Sequence, residues 1–388
     1  MRLLLVLGVV IVFFELIRVM TVLHPPLWHH LNIAIGSSLS LWKLDEPKYD
    51  DIKVSEIQNL FKYTGGEIPI NEKCKNIQKI MKTPVHRHTT VMWECSKDVR
   101  CTGLGDEIRN LVATFIYAVD RGHLFNIMWS KTYQVYPEIL VPNLYDWRNK
   151  TTVADYKLII GHFGQCDWDK PVEYIRTGSY LQFGDDKNCD AFKNAYTRDI
   201  INYWRQDYKP ELRGCSFWAL FKFGSYLKKR LAYHELLFKQ WLDKKEYNQI
   251  ISVQIRSGDD VMFGERGLKV TAIEIIAKFL KCARKLEKQK GFQKSVFFLT
   301  ADSAEIRKAA RANKDIFSPQ ISPKHVAFST GKEVLTDALV EIIMMAKTDA
   351  LVRSHSGFGI SAEHLGLMEH TVVYPDCSGE APEYTDYY

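Results

Sequence analysis

Residues 250–260 have the sequence IISVQIRSGDD, in which an apolar strand runs directly into a polar turn that contains a glycine. A continuous apolar strand such as 250–255 is typical of a parallel sheet that is covered on both faces. Residues 272–286 follow with apolar positions at helical spacing, and residues 296–299 form a second apolar strand. This alternation predicts a doubly wound α/β domain.

The same alternation continues to residue 374 and also occurs in the first half of the chain. Strands are predicted at 90–94 and 124–129, with a helix at 108–119 between them and Gly103 and Gly105 in the turn before it. The 226–248 stretch is lysine-rich and helix-like, and it links the halves. We therefore predict two α/β domains that face across a cleft, at 86–240 and 241–388, preceded by an apolar segment at 1–23 and a stem at 24–85. Further elements of the second domain are predicted at 303–312, 326–329, 335–347, 350–353, 360–367 and 371–374.

Composition excludes several classes of protein. With 388 residues, 46% hydrophobic and 25% charged, the chain is neither a disordered protein nor a membrane protein with many spans. The net charge of +6 is spread along the chain, which argues against nucleic acid as a partner and leaves room for a phosphate-bearing small substrate. Aromatic residues make up 12%, enough for a core and for a groove that stacks rings.

The N-terminal segment predicts one membrane pass. Residues 3–14 carry no charge, and Glu15 and Arg18 lie three positions apart, where they can pair on a helix. A cleaved signal peptide is the alternative, but no small-x-small cleavage site follows the segment. Either interpretation places the rest of the chain in the secretory lumen.

Eight cysteines follow the apolar segment, and no C-x-x-C pair occurs among them. This pattern favours disulfides over a zinc site. Cys95 with Cys101 and Cys166 with Cys189 are the pairs we predict. Asn149 begins the sequon Asn-Lys-Thr within a polar stretch, which indicates a glycosylation site on a surface loop.

Three polar clusters follow predicted strands of the second half, where open α/β sheets bind ligands. Arg256 offers a fork of donors for a phosphate, and the residues after Ser354 begin a helix whose N-terminus favours an anion. Asp302 cannot bind phosphate and would accept hydrogen bonds from a base or from sugar hydroxyls. The alternative is that Arg256 pairs with Asp259 or Asp260 on the surface and that Ser356 only caps its helix.

The order of these motifs resembles the fucosyltransferases of the α1,2/α1,6/protein-O type, which have the two-domain GT-B fold and use GDP-fucose. Four stretches carry the resemblance, at 101–109, 253–259, 298–302 and 337–358. Gln254 stands where many members have His, and plant-type α1,2 members also have Gln at this position. Ser257 stands where many members have a second Arg. Another GDP-sugar remains open as the donor, and His355 between the serines has no physical account.

The resemblance implies an inverting, metal-independent transfer of fucose from GDP-fucose to a hydroxyl of a glycan or glycoprotein. Arg256 would neutralise the diphosphate. A general base would come from Asp106 or Glu107, although these carboxylates can equally serve the helix N-terminus. With the anchor, it implies a single-pass type II protein of the Golgi membrane. The remaining expected donor-site residues are Ser257, Gly258, Asp259, Asp302, Ser354, Ser356, Gly357 and Phe358, with Gly103, Gly105 and Arg109 on the acceptor side.

Two other functions stay open. Asp167 and Asp169 form a D-x-D pair that could hold Mn²⁺ and a nucleotide diphosphate in a metal-dependent transferase. A luminal lectin-like protein that keeps the fold without turnover is the second alternative. No G-x-S-x-G, Walker or H-E-x-x-H motif supports a hydrolase, a P-loop enzyme or a zincin.

Overall fold

The computed structural model describes residues 74, 90–95, 103–120, 123–129, 139–148, 174–178, 210–258, 271–324 and 331–377, which belong to one compact unit. The predicted anchor at 1–23 and nearly all of the predicted stem lie outside this part. Within it, no helix combines the length and the apolar character that a membrane crossing requires. The helices are α1 (Leu104–Asp120), α2 (Pro210–Leu220), α3 (Ser225–Leu242), α4 (Ala272–Lys290), α5 (Ala304–Arg311), α6 (Lys332–Ala346) and α7 (Gly357–Gly366).

The second half contains a five-stranded parallel sheet, as the sequence predicts. Its strands are β6 (Gln249–Ile255), β7 (Ser295–Ala301), β8 (Ile316–Phe317), β9 (Ala350–Arg353) and β10 (Thr371–Val373). Their order in the sheet is β10-β9-β6-β7-β8, and β6 pairs with β7 on one side and with β9 on the other. The strand order therefore reverses between β6 and β9, and such a switch point opens a crevice beyond the strand ends.

Local sequence explains where the elements of this sheet begin and end. All seven residues of β7 are buried, as is every residue of β6 except Gln249, so both strands lie in the middle of the sheet. Thr271 and Glu274 form a capping box at the start of α4, and Gly291 ends that helix with a left-handed backbone. The fifth strand is the short β8; the predicted strand 326–329 falls outside the described residues.

The first half contains a smaller parallel sheet, in which β1 (Thr90–Cys95) lies between β2 (Leu124–Trp129) and β4 (Tyr174–Gly178). Helix α1 connects β1 to β2, so the predicted βαβ unit is confirmed. An antiparallel pair, β3 (Leu140–Pro142) with β5 (Phe221–Phe223), packs beside it. The chain is thus a mixed α/β protein with two parallel sheets.

Helix α7 joins the two halves, because it follows β9 of the large sheet and packs against α1 and α2 of the first half. Trp218 Nε1 of α2 donates to the Leu365 carbonyl at 3.0 Å. A Cβ atom on Gly214 would lie 2.0 Å from the His364 carbonyl oxygen, so the two helices touch through their backbones. The C-terminal end of α7 is therefore held directly against α2 of the first half.

Two disulfides secure the described part. Cys74 bonds to Cys215 of α2, so residue 74 of the predicted stem is buried in the folded unit. Cys282 of α4 bonds to Cys377 beyond β10. The predicted pairs Cys95–Cys101 and Cys166–Cys189 involve side chains outside the described part.

Helix α3 contains a buried histidine. His234 is 2% exposed, and neither of its ring nitrogens has a hydrogen-bond partner among the described residues. Burial, and secondarily the nearby Arg230 charge, lowers the pKa of His234 to about 3. The imidazole is therefore neutral in the folded protein over the whole physiological range.

We predict that His234→Leu makes stability less dependent on pH. Between pH 6.5 and about 3 the unfolded chain protonates His234 and the folded chain does not, so the free energy of unfolding falls as pH falls. Over that window His234 contributes a slope of about 1.4 kcal/mol per pH unit, which the variant loses. Urea unfolding of both proteins at pH 7.5, 6.0 and 5.0 measures how the free energy of unfolding depends on pH. Identical slopes for the two proteins below pH 6 would contradict the prediction, and above pH 7.5 the slopes should agree.

Candidate functional site

A cleft of about 280 Å³ opens at the carboxyl end of the large sheet, at the switch point between β6 and β9. It receives residues from the turn before α1, from the ends of β6 and β7, and from the first turn of α7. The three strand-end clusters of the sequence analysis therefore meet in one place. Its lining includes Gly103, Gly105, Asp106, Gln254, Arg256, Asp302, Asp337, His355, Ser356, Gly357 and Phe358.

Arg256 is the first residue after β6, and its side chain remains 31% exposed in the cleft. Its Nε lies 3.4 Å from Asp302 Oδ2, which holds the guanidinium at the strand end. Its backbone N–H donates to Ser354 Oγ at 2.8 Å, linking the ends of β6 and β9. Asp302 is thus one partner of Arg256 in the cleft. Asp259 and Asp260, the surface partners considered as the alternative, lie outside the described part.

Both carboxylate oxygens of Asp302 accept hydrogen bonds from the turn that follows Arg256. Ser257 N–H donates to them at 2.9 and 3.1 Å, its hydroxyl donates to Oδ1 at 2.5 Å, and Gly258 N–H donates to Oδ2 at 3.2 Å. Gly258 has φ of 102°, a conformation that favours glycine. Asp302 thus accepts hydrogen bonds from the turn after β6. The sequence had instead predicted that it would accept them from a base or from sugar hydroxyls.

Ser354 and Ser356 have different positions. Ser354 is buried, and its hydroxyl contacts the Gln254 carbonyl at 3.4 Å in addition to Arg256. Ser356 is the N-cap of α7 and accepts from Phe358 N–H at 3.3 Å. The capping role proposed as the alternative for Ser356 is therefore present, and it leaves the helix end facing the cleft.

The N-termini of α1 and α7 meet at two glycines. A Cβ atom on Gly105 would lie 2.2 Å from the Gly357 carbonyl carbon and 2.3 Å from Phe358 N. Ser361 Oγ donates to the Gly105 carbonyl at 3.1 Å, which fixes the crossing. Because N-terminal N–H groups and helix dipoles attract anions, two such ends at one cleft create an anion-binding environment.

The first turns of α1 contain three charged residues, Asp106, Glu107 and Arg109, which differ in how deeply they are buried. Asp106 is 42% exposed and lines the cleft, whereas Glu107 is 2% exposed and does not. Arg109 is buried, and its Nη1 lies 3.3 Å from Asp106 Oδ1. Of the two carboxylates predicted as a general base, the structure brings only Asp106 to the cleft.

Gln254 contributes a buried polar atom to the cleft wall. Its side chain is 4% exposed, and its Oε1 has no hydrogen-bond partner among the described residues. This oxygen would lie 2.9 Å from a Cβ on Gly359, in the first turn of α7. A buried acceptor without a protein partner calls for a donor from elsewhere.

Two ion pairs of the cleft wall were not predicted from the sequence. The Arg307 guanidinium contacts both Glu341 oxygens and donates to the Ala301 carbonyl at 2.5 Å, immediately before Asp302. Arg230 Nε donates to Asp337 Oδ1 at 2.7 Å, although the two residues are 107 positions apart in sequence. Helical spacing could have placed Glu341 and Asp337 together on α6, but no local signal identifies their arginine partners.

Beneath the junction of α1 and α7 lies a buried group of charged residues. Burial lowers the pKa of His364 well below its usual value, and the charges of Arg213, Arg109 and Arg353 lower it further. Arg353 Nε donates to Glu363 Oε2 at 2.8 Å. His364 is therefore neutral in the folded protein.

Some predicted sites fall outside the described residues, namely Asp259, Asn149, Asp167 and Asp169. In the part that is described, no group of three or more His, Cys, Asp or Glu side chains is placed to hold a metal ion. The expected acceptor-side residues Gly103 and Gly105 line the cleft, and Arg109 lies behind it.

We predict that Gly105→Ala disrupts the junction of the two helices. The added methyl would overlap backbone atoms of Gly357 and Phe358, which cannot swing away, so we expect a loss of about 3 kcal/mol in the free energy of unfolding. Gly291→Ala is the matched control, since its Cβ meets no atom within 4 Å and only the left-handed φ of 67° is strained, at about 1 kcal/mol. Urea unfolding compares them. Equal losses in the two variants would show that the contact is not tight.

No protein-family model and no curated protein matches the chain. Among solved structures, a mutant of Arabidopsis thaliana FUT1 in complex with GDP is 14% identical, with 82% of this chain and 78% of that chain covered and a TM-score of 0.45. NodZ fucosyltransferase from Bradyrhizobium is 15% identical over 75% and 97%, with a TM-score of 0.44. POFUT1 in complex with GDP is 10% identical over 75% and 99%, with a TM-score of 0.36. Likeness at this level does not assign a substrate or mechanism; the structural neighbours named here are fucosyltransferases.

Proposed function

We propose that this protein is an inverting glycosyltransferase of the GT-B type that transfers fucose from GDP-fucose to a glycan hydroxyl, with an α1,2 linkage. The observation that carries the proposal is the meeting of Arg256 with the N-termini of α1 and α7 in one cleft at the switch point of the large sheet. This arrangement suits a diphosphate, since one fixed cation and two helix ends face the same space.

The chemistry follows from where charge develops. In the transfer, the acceptor oxygen bonds to the anomeric carbon of fucose while the bond from that carbon to the β-phosphate oxygen breaks, and the bonding electron pair leaves with GDP. Negative charge on the leaving phosphate grows as the bond breaks. Arg256, held by Asp302 and by Ser354, and the α7 N-terminus stabilise that charge without having to reorganise.

Asp106 is the base that we assign to the acceptor hydroxyl. It is the carboxylate of the first α1 turn that lines the cleft, and it belongs to the half opposite Arg256. The proton of the attacking hydroxyl would pass to it as the new bond forms. Glu107 is buried and does not line the cleft.

The nucleoside end of the donor requires acceptors for its N–H and hydroxyl groups. Gln254 Oε1 is a buried acceptor without a protein partner among the described residues. Asp337 also lines the cleft, oriented by Arg230. Guanine presents N–H donors that both can accept. Together with the phosphate-binding groups, these acceptors support GDP as the nucleotide.

We propose further that the chain is a single-pass type II protein of the Golgi membrane, anchored by residues 1–23 with its catalytic part in the lumen. The uncharged run 3–14, the cysteine content and the two disulfides favour this placement. A metal-dependent transferase acting through Asp167 and Asp169, and a lectin-like protein without turnover, remain the competing functions.

We predict that Arg256→Ala lowers kcat/KM for fucose transfer from GDP-fucose by roughly 10²–10³-fold, because one preorganised donor to the developing charge is lost. Arg284→Ala is the matched control, since Arg284 is an exposed arginine of α4 whose carboxylate partner is Glu287 and which does not line the cleft. Release of GDP and formation of fucosylated product from an oligosaccharide panel measure both variants.

Two further arms separate the competing functions. Turnover with UDP-sugars that EDTA abolishes would favour the D-x-D transferase, and GDP-fucose binding without any product would favour the lectin-like protein. Full activity of Arg256→Ala would contradict the mechanism proposed here.

A further inference from the structure

Asp106, in the first turn of α1, lies against the N-terminus of α7, the helix end that the proposed function assigns to the donor diphosphate. A Cβ atom on Gly357 would be 2.3 Å from Asp106 Oδ1 and 3.0 Å from its Cγ, so the carboxylate rests directly on the first residue of α7. Ser356, Gly357 and Phe358 line the cleft beside it. A carboxylate at a helix N-terminus is stabilised there for the same electrostatic reason as a phosphate.

The region has a second feature that points to a ligand. Gln254 Oε1, buried and without a partner among the described residues, is directed at Gly359 in the same first turn of α7. Arg256 faces the same cleft from β6. The α7 N-terminus is thus one wall of a built binding site, and Asp106 contributes a negative charge to that wall.

We propose that the Asp106 carboxylate competes with the donor diphosphate for the N-terminus of α7 and lowers donor affinity. The inference rests on the proposed function, since it assumes that a nucleoside diphosphate binds in this cleft. Two anions that approach the same helix end repel one another, and the buried Arg109 can pair with the carboxylate but neutralises only one of the charges. Binding of the diphosphate therefore displaces the Asp106 carboxylate from Gly357.

The displacement couples the two substrates. While Asp106 rests on α7 and pairs with Arg109, these two contacts hold its carboxylate in place. A diphosphate at α7 removes the first of these contacts, so the carboxylate is free to turn to the acceptor hydroxyl once the donor is in place. The base then becomes effective at the moment when a sugar is available for transfer.

The experiment is calorimetric titration of the full chain with GDP and, separately, with guanosine, for the wild type and two variants. Asp106→Asn keeps the shape of the side chain and removes its charge. Asp243→Asn makes the same change of net charge on an exposed residue after α3, where the chain leads to the opposite end of β6. Circular dichroism and thermal unfolding confirm that both variants are folded.

We expect Asp106→Asn to bind GDP roughly three- to tenfold more tightly than the wild type, because one like charge near the phosphates is removed. Guanosine, which has no phosphate, should bind the two proteins equally, and Asp243→Asn should match the wild type with both ligands. Despite the tighter binding, Asp106→Asn should lose kcat for fucose transfer, since the base is absent. A structural role alone would weaken the binding of both ligands.

The outcomes separate this inference from the proposed function. If the wild type binds GDP and transfers fucose while Asp106→Asn binds GDP no more tightly, the competition is wrong and the proposed function stands. Equal tightening for guanosine and GDP would also overturn it, because the effect would then not depend on phosphate charge. If the wild type binds no GDP and transfers no fucose, the proposed function fails first.

Discussion

The backbone contact between Gly105 and Gly357 is the constraint on which the arrangement of the site depends. It brings the first turns of α1 and α7 so close together that a Cβ atom on Gly105 would overlap the backbone of α7. Both helix N-termini carry partial positive charge, so they repel each other electrostatically. The carboxylate of Asp106 lies where the two ends meet and reduces that repulsion.

The rigidity of the cleft comes from buried ion pairs rather than from apolar packing alone. Arg307 and Glu341 form a two-pronged pair at the cleft wall, and Arg353 is held by Glu363 beneath it. Buried charges are costly unless they are paired with good geometry, and loss of one partner is correspondingly severe. His364 lies among the arginines in its neutral form because burial and their charges lower its pKa. The charges around the cleft are thus buried and largely paired, rather than exposed as a cluster of cations.

Sequence was sufficient for the large sheet and for one residue of the site. Apolar strands that alternate with helical periods predicted β6, α4 and β7, because each pattern is local, and Arg256 was evident as a charge directly after an apolar strand. The two-residue β8 was missed because it is too short to show a period. Contacts such as Arg230 with Asp337, or Asp106 with Gly357, join residues more than a hundred positions apart. Their formation depends on how the helices pack, which local pattern does not encode.

Asp302 and Asp106 are carboxylates that lie in a cleft suited to an anion, and each is placed there for a different physical reason. Asp302 is 10% exposed and directs its oxygens to Arg256 and to the N–H groups of Ser257 and Gly258, so its charge is used in shaping the turn. Asp106 has one arginine partner and remains largely open to the cleft. A charge that is fully satisfied repels a phosphate weakly, whereas an open one repels it strongly. Asp302 can therefore stay in place beside an anion in the cleft, while Asp106 is the carboxylate whose position an anion would change.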